Sequence, residues 1–321
     1  MIKRTLYFGN PAYLSLKDEQ LVIKLPAVEK NDALPDSFKK NACRTIPIED
    51  IGIVLLDHKQ ITLTQALLEK LLDNDCAVIT CDSRSMPYGM LLPLEGHSIQ
   101  QERYTEQLNA SLPLKKQLWQ QTIARKIENQ MSILKQYTKC ETGNMAKWAG
   151  SVKSGDSDNL EARAAAYYWA NIFPEIPEFT RKREGDYPNN FLNYGYAILR
   201  AIIARALVCG GFLPTLGIHH RNRYNAYCLA DDIMEPYRPI VDHKVKQIMA
   251  EFPNQKELTR EIKAEFLQIP VMEVNIGGSR SPMMVAAGKT ITSLHKCYSG
   301  EARTILYPKI SILDRPFDTP F

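Results

Sequence analysis

Three stretches of the chain set ionisable side chains beside apolar helical sequence. DSDNLEARAAAYYWANIF carries Glu161, TLGIHHRNRYNAYCL carries His219 and His220, and LADDIMEPYRPIVD carries Asp232 and Glu235. Glu161, His220 and Glu235 together offer two anionic oxygens and one imidazole. That mixed donor set suits Mn²⁺ as well as Mg²⁺ and leaves coordination positions open for phosphate and water. No third histidine or paired cysteine joins them, which argues against a zinc hydrolase, and neither a Gly-rich phosphate loop nor a Ser-His-Asp order occurs.

Each stretch also has a plainer reading. Asp158 followed three residues later by Glu161 fits a capping box, in which Glu161 satisfies a backbone N–H at a helix start. The same Glu161 lies one turn below Ala165 and on the side of Tyr168, so an inward-pointing ligand is the competing reading. Adjacent side chains diverge on a helix or a strand, so one of His219 and His220 reaches any given site, or both are ordinary polar groups. Arg221 and Arg223 beside them suit a phosphate-facing loop. Asp232 and Glu235, three apart, share a helical face; acids near a helix start are often solvated there, but these alternate with Leu229, Ile233 and Met234. A carboxylate in that setting needs a partner.

The elements that must position these residues fall into two kinds. RTLYFG, YLSLKDEQLVIKL with a turn at Asp18-Glu19, IPIEDIGIVLLDH, CAVITCDS and YGMLLPL have the β-branched content of strands. Among them only Leu63 to Asp73 has helical spacing, with Leu67, Leu68, Leu71 and Leu72 in one stripe. Near Glu95-Gly96 the period changes to about 3.6, and helices are expected from there to the end. The expectation is an α+β chain: a β-sandwich-like N-terminal domain over residues 1–96, then an all-α catalytic domain over 97–321.

Leu114 to Tyr137 reads as an amphipathic helix with Leu114, Leu118, Ile123, Ile127, Met131 and Leu134 inward and Lys115, Lys116, Arg125 and Lys126 on a basic outer face. NNFLNYGYAILRAIIARALVCGG, entered at Pro188 and closed by Gly210-Gly211, is apolar nearly all round and should be central. TKCETGNMAKWAGSVKSGDSDN reads as a loop-rich connection.

The 321 residues are 45% hydrophobic and 24% charged, an ordinary globular composition, and the net charge of +4 is too slight to prove a polyanionic partner. The start lacks an apolar signal-peptide core, and the most apolar stretch, Tyr196 to Cys209, is broken by Arg200 and Arg205. A cytoplasmic protein without a membrane partner is expected. Seven cysteines without a repeated pair spacing read as reduced thiols.

These blocks, taken with RTLYFGNPAYLSLKDEQLVIK, IPIEDIGIVLLD, DNLEARAAAYYW, NNFLNYGYAILRA, LGIHH and SLHKCYSGEARTILYP in one order, resemble a known family. It is the first-numbered family of Cas proteins, the endonuclease and integrase of CRISPR spacer acquisition, in its type II form. The resemblance implies a metal site at Glu161, His220 and Glu235, with His219 competing for the middle role and Asp232 auxiliary. It implies a β domain that makes a homodimer and a helical domain that holds the active site. The implied partners are double-stranded DNA, as spacer fragment and CRISPR repeat, the small ferredoxin-like protein numbered second, and, by analogy, the type II effector nuclease. A noncatalytic DNA-binding scaffold and a metal-dependent nuclease without integration are the rival readings.

Overall fold

Asp18 and Glu19 both adopt left-handed φ angles, 49° and 57°, and so close a two-residue turn of the kind that matches strand twist. A computed structural model of the chain describes residues 3–29 and 43–310. In it β1 (Arg4–Phe8) precedes the hairpin of β2 (Ala12–Lys17) and β3 (Gln20–Lys24). There follow β4 (Arg44–Pro47), β5 (Ile51–Leu56), β6 (Ile61–Leu63), α1 (Gln65–Asp73), β7 (Ala77–Cys81) and β8 (Pro87–Leu91). Two four-stranded sheets result, in the orders β1-β5-β7-β8 and β4-β3-β2-β6. β6 was not expected from the sequence, because three residues are too few to show an alternation; it pairs in parallel with β2.

The apolar runs IGIVLL and CAVITC are explained by burial on both faces. Val54, Cys76 and Val78 pack with Leu14, Leu21, Leu67 and Leu71 between the two sheets, under α1. Ile53, Leu55, Ala77 and Ile79 point the other way, into the core of the helical half. β5 and β7, paired in parallel, are the two central strands of their sheet, and strands buried on both faces in this way read as continuous hydrophobic runs. The strand-rich half thus shares one sheet face with the helices that follow it.

The helical half comprises α2 (Gln100–Asn109), α3 (Leu112–Tyr137), α4 (Gly143–Ser151), α5 (Leu160–Asn171), α6 (Asn189–Cys209), α7 (Cys228–Met234), α8 (Arg238–Glu251) and α9 (Arg260–Phe266). The hairpin β9 (Glu273–Ile276) and β10 (Ser279–Pro282) and then α10 (Met283–Tyr298) follow. The hairpin corrects the expectation of an all-α domain: Gly277 and Gly278 take φ of 61° and 78°, a turn that needs residues tolerant of the left-handed region. The expected loop-rich connection over 138–159 likewise contains α4, which buries Met145 and Ala149. α6 is central as expected. By length and composition it could cross a membrane, but 72% of its apolar window is buried within the protein.

The halves are joined by a buried ion pair. Lys263 on α9 reaches Asp57, just past β5, at 2.6 Å, with side-chain exposures of 7% and 3%. Tyr7 on β1 donates to the same carboxylate oxygen at 2.7 Å. Asp57→Asn leaves a buried ammonium without its anion and should cost about 3–5 kcal/mol in urea unfolding. Asp57→Leu combined with Lys263→Met should recover much of that loss. A cost of under about 1 kcal/mol for the single change would show that this pair does not couple the halves.

Candidate active site

The turn before α5 decides what Glu161 does. Asp156 is buried and accepts from the backbone N–H of Leu160 at 2.9 Å and of Glu161 at 3.0 Å. It therefore satisfies the helix start, while Asp158 lies outside and pairs with Lys153 at 2.8 Å. The capping-box reading of Asp158 and Glu161 does not hold. Released from that role, the Glu161 carboxylate meets the Lys126 ammonium at 2.6 Å.

The histidine loop between α6 and α7 is held from two sides. Gln107 on α2 is buried; its amide donates to the carbonyls of Leu213 and Leu216 and accepts from the N–H of Leu213. Asp232 on α7, fully buried, accepts from the N–H of His219 at 2.9 Å and of His220 at 3.3 Å, and lies 2.5 Å from His220 Nδ1. Such tight wrapping leaves no room at Gly217, where a Cβ would stand 2.4 Å from the His220 carbonyl and 2.7 Å from Asp232 Oδ2. The two imidazoles diverge. His219 stacks flat on Trp119, with ring centroids 4.2 Å apart and planes 2° apart, while His220 is edge-on to both rings.

Glu235 sits where α7 gives way to a 3₁₀ turn, Glu235–Tyr237, that continues into α8. One carboxylate oxygen lies 2.6 Å from Lys126 and the other 2.9 Å from Arg238, whose guanidinium also covers the Tyr196 ring. Burial would push the Glu235 carboxyl up, but Arg238, Lys126 and His220 outweigh it and hold the group at about 2. The bond to Asp232 raises His220 despite its partial burial, with Glu235 and Glu161 adding to the effect, whereas burial lowers His219.

Lys126 corrects the expected basic outer face of α3. The helix is packed on more than one side, and Lys126 shares a face with Trp119 and Thr122, both buried. Its ammonium therefore lies inside, between Glu161 and Glu235. The sequence signal was available in the sevenfold spacing from Trp119, which places the two side chains about one above the other. Asp156, Gln107 and Arg238 were also passed over; only tertiary contacts give them their roles.

Among the described residues, no three His, Cys, Asp or Glu side chains stand together in a coordination shell. Glu161 and Glu235 converge on Lys126, and His220 converges with Asp232. The donor set nevertheless fits a hard divalent cation. Two carboxylates already hold a cation between them, and the almost wholly buried Glu235 presents Oε2 to that position, 2.6 Å from the Lys126 ammonium. A neutral His220 that donates Nδ1–H to Asp232 keeps Nε2 as a lone-pair donor, the arrangement in which a carboxylate orients a metal-binding histidine.

Comparison with known proteins agrees in fold and family. The family described as CRISPR associated protein Cas1 matches residues 6–262. A CRISPR-associated endonuclease Cas1 of Neisseria meningitidis serogroup C (strain 8013) is 34% identical over 299 residues, 91% of each chain. A casposase bound to integration product has a TM-score of 0.76 at 19% identity, covering 99% of this chain and 96% of the other. A Cas1 protein from Thermotoga maritima has a TM-score of 0.70 at 16% identity, covering 92% and 97%. A Cas6-RT-Cas1–Cas2 complex contains a chain with a TM-score of 0.70 at 18% identity, covering 94% of this chain and 36% of that one. On the family match and the meningococcal relative, this chain belongs to the Cas1 family of CRISPR-associated proteins.

Proposed function

We propose that the chain is a metal-dependent DNA endonuclease and integrase of CRISPR spacer acquisition, in the type II form. The carrying observation is the convergence of Glu161 and Glu235 on one cation position beside a His220 oriented by Asp232. Names among its relatives support the reading: an endonuclease in Neisseria, a casposase with integration product, and a complex of Cas1 with Cas2.

In this reading Glu161, His220 and Glu235 hold a Mg²⁺ or Mn²⁺ ion. When bound, the ion polarises the phosphoryl group and stabilises charge on the entering and leaving oxygens. Asp232 fixes the His220 ring through Nδ1 and the loop through two backbone N–H groups, so that Nε2 has one direction to face. Arg238 holds Glu235 from behind. Arg221 and Arg223, exposed just after His220, bring positive charge to the side on which a phosphate backbone would approach. The 3′-hydroxyl of a captured fragment attacks a phosphodiester at the repeat boundary and releases another 3′-hydroxyl. One phosphodiester replaces another, so the step requires no ATP. The protein works in the cytoplasm as a homodimer joined through its β domain, with Cas2, the ferredoxin-like second Cas protein, and with the type II effector nuclease during acquisition.

The test is an integration assay with the purified chain, its Cas2 partner, a labelled fragment and a repeat-containing target. Glu161→Gln should lower joined product on the order of 10²-fold while fragment binding persists. Wild-type rates of joining in that variant would remove the metal site. Cleavage without joining by the wild-type chain would favour a nuclease only, and binding with neither activity a scaffold.

A further inference from the structure

Lys126 is surplus to the donor set, yet it is the residue on which that set converges. Its side chain is 10% exposed and rises from α3 into a pocket walled by α5 and the turn at Glu235. The ammonium lies 2.6 Å from Glu161 Oε1 and 2.6 Å from Glu235 Oε2, and these two carboxylates are its ion-pair partners. The two acids come from different elements, α5 and the turn before α8, so nothing in the local sequence of either holds them together. Without a positive charge between them they would repel at close range in a site where Glu235 is almost wholly buried.

We propose that Lys126 is a built-in counter-cation: it holds Glu161 and Glu235 in register while the site is empty, and its ammonium must leave the position between them when a divalent ion binds. The inference rests on the metal reading given above. Lysine suits the task because its ammonium is a compact point charge on a flexible four-carbon stem, able to withdraw without unwinding α3, whereas arginine would hold a carboxylate in a rigid bidentate fork. Arg238, on the other side of Glu235, keeps its partner whether or not Lys126 moves. The consequence is competition. An ion entering the site gains two carboxylates but first displaces a cation already paired with both, so the lysine lowers metal affinity while raising the order and stability of the metal-free protein.

The experiment compares the full-length wild-type chain with Lys126→Met, which keeps the stem and removes the charge, and Lys126→Arg, which keeps the charge. Mn²⁺ is titrated by calorimetry and followed by the electron paramagnetic resonance of the free ion. Melting is recorded with and without Mn²⁺. Lys126→Met should melt lower than wild type without metal, bind Mn²⁺ at least about tenfold more tightly, and show the larger metal-induced rise in melting temperature. Lys126→Arg should bind Mn²⁺ no more tightly than wild type. Unchanged or weaker Mn²⁺ affinity in Lys126→Met overturns the proposal. If Lys126→Met folds only with Mn²⁺ present, folding at a lower Mn²⁺ concentration than half-saturates wild type supports it, and a higher one overturns it. A Glu161→Gln control separates the two levels of inference. If wild type binds Mn²⁺ and Glu161→Gln does not, the metal site stands and Lys126→Met decides the competition. If no variant binds Mn²⁺, the metal reading and this inference fall together.

Discussion

Glu235→Ala is expected to abolish integration and, separately, to destabilise the protein by about 3–5 kcal/mol, the cost of stranding buried charge. Repulsion between two neighbouring acids, taken alone, would make removal of one from a metal-free site stabilising. The structure reverses that sign. Glu235 lies between the buried Lys126 and the partly exposed Arg238, and its removal leaves two cations short of an anion. The loss should depend on pH. The Glu235 carboxyl, ordinarily at 4.5, is depressed to about 2 in the folded chain, against burial, by those two cations and His220. Its stabilising contribution is therefore complete above about pH 4.5 and disappears as pH falls through about 2. Urea titrations of wild type and Glu235→Ala should accordingly differ most at neutral pH and converge in acid. Glu161→Gln, at a position with 27% of its side chain exposed, should lose comparable activity with a smaller loss of stability. Equal stability of Glu235→Ala and wild type at pH 7 would sink the electrostatic account, and retained joining would sink the catalytic one.

Gly217→Ala should be nearly as damaging to activity, though it touches no ionisable group. A methyl there would press on the His220 carbonyl and on the Asp232 carboxylate. Asp232 is fully buried and the His220 carbonyl is backbone, so the methyl is accommodated only if the loop shifts. Asp232 would then lose the geometry of the bonds it accepts from His219 and His220, and His220 would lose its orientation. Displacing a reacting group by about 1 Å costs on the order of 10²-fold in rate, and overpacking of this kind costs about 1–3 kcal/mol in stability. Gly150→Ala is the matched control: it lies in α4 with nothing near its added methyl and should leave stability unchanged or raise it slightly. Full integration by Gly217→Ala would show that the histidine loop tolerates movement and that Asp232 does not set the ring.

Much of the fold was legible because its signals are local. The Asp18-Glu19 turn, the strands RTLYFG and CAVITC, the leucine stripe of α1 and the apolar length of α6 each declare themselves within a few residues. The all-α expectation failed at β9 and β10 because four-residue strands give no period to count, and α4 was missed because GNMAKWAGS, with two glycines and only two large apolar side chains, shows no stripe. At the site, Glu161, His220, Asp232 and Glu235 were legible as unusual residue types beside apolar sequence, and the structure brings them to one region.

The sequence alone therefore singled out the candidate side chains of the site and, through several blocks in one order, determined the family. It could not determine their partners. Whether Glu161 caps its helix or faces the site is decided by Asp156, which reaches the two backbone N–H groups first. Whether Lys126 is a surface charge or the cation between two acids is decided by how many sides of α3 are covered, a property of the packed molecule. Periodicity reports the face a helix turns to its nearest neighbour. Contacts between residues 35 or more positions apart, such as Lys126 with Glu161, exist only once several elements have packed, and those contacts set the charge and orientation of this site.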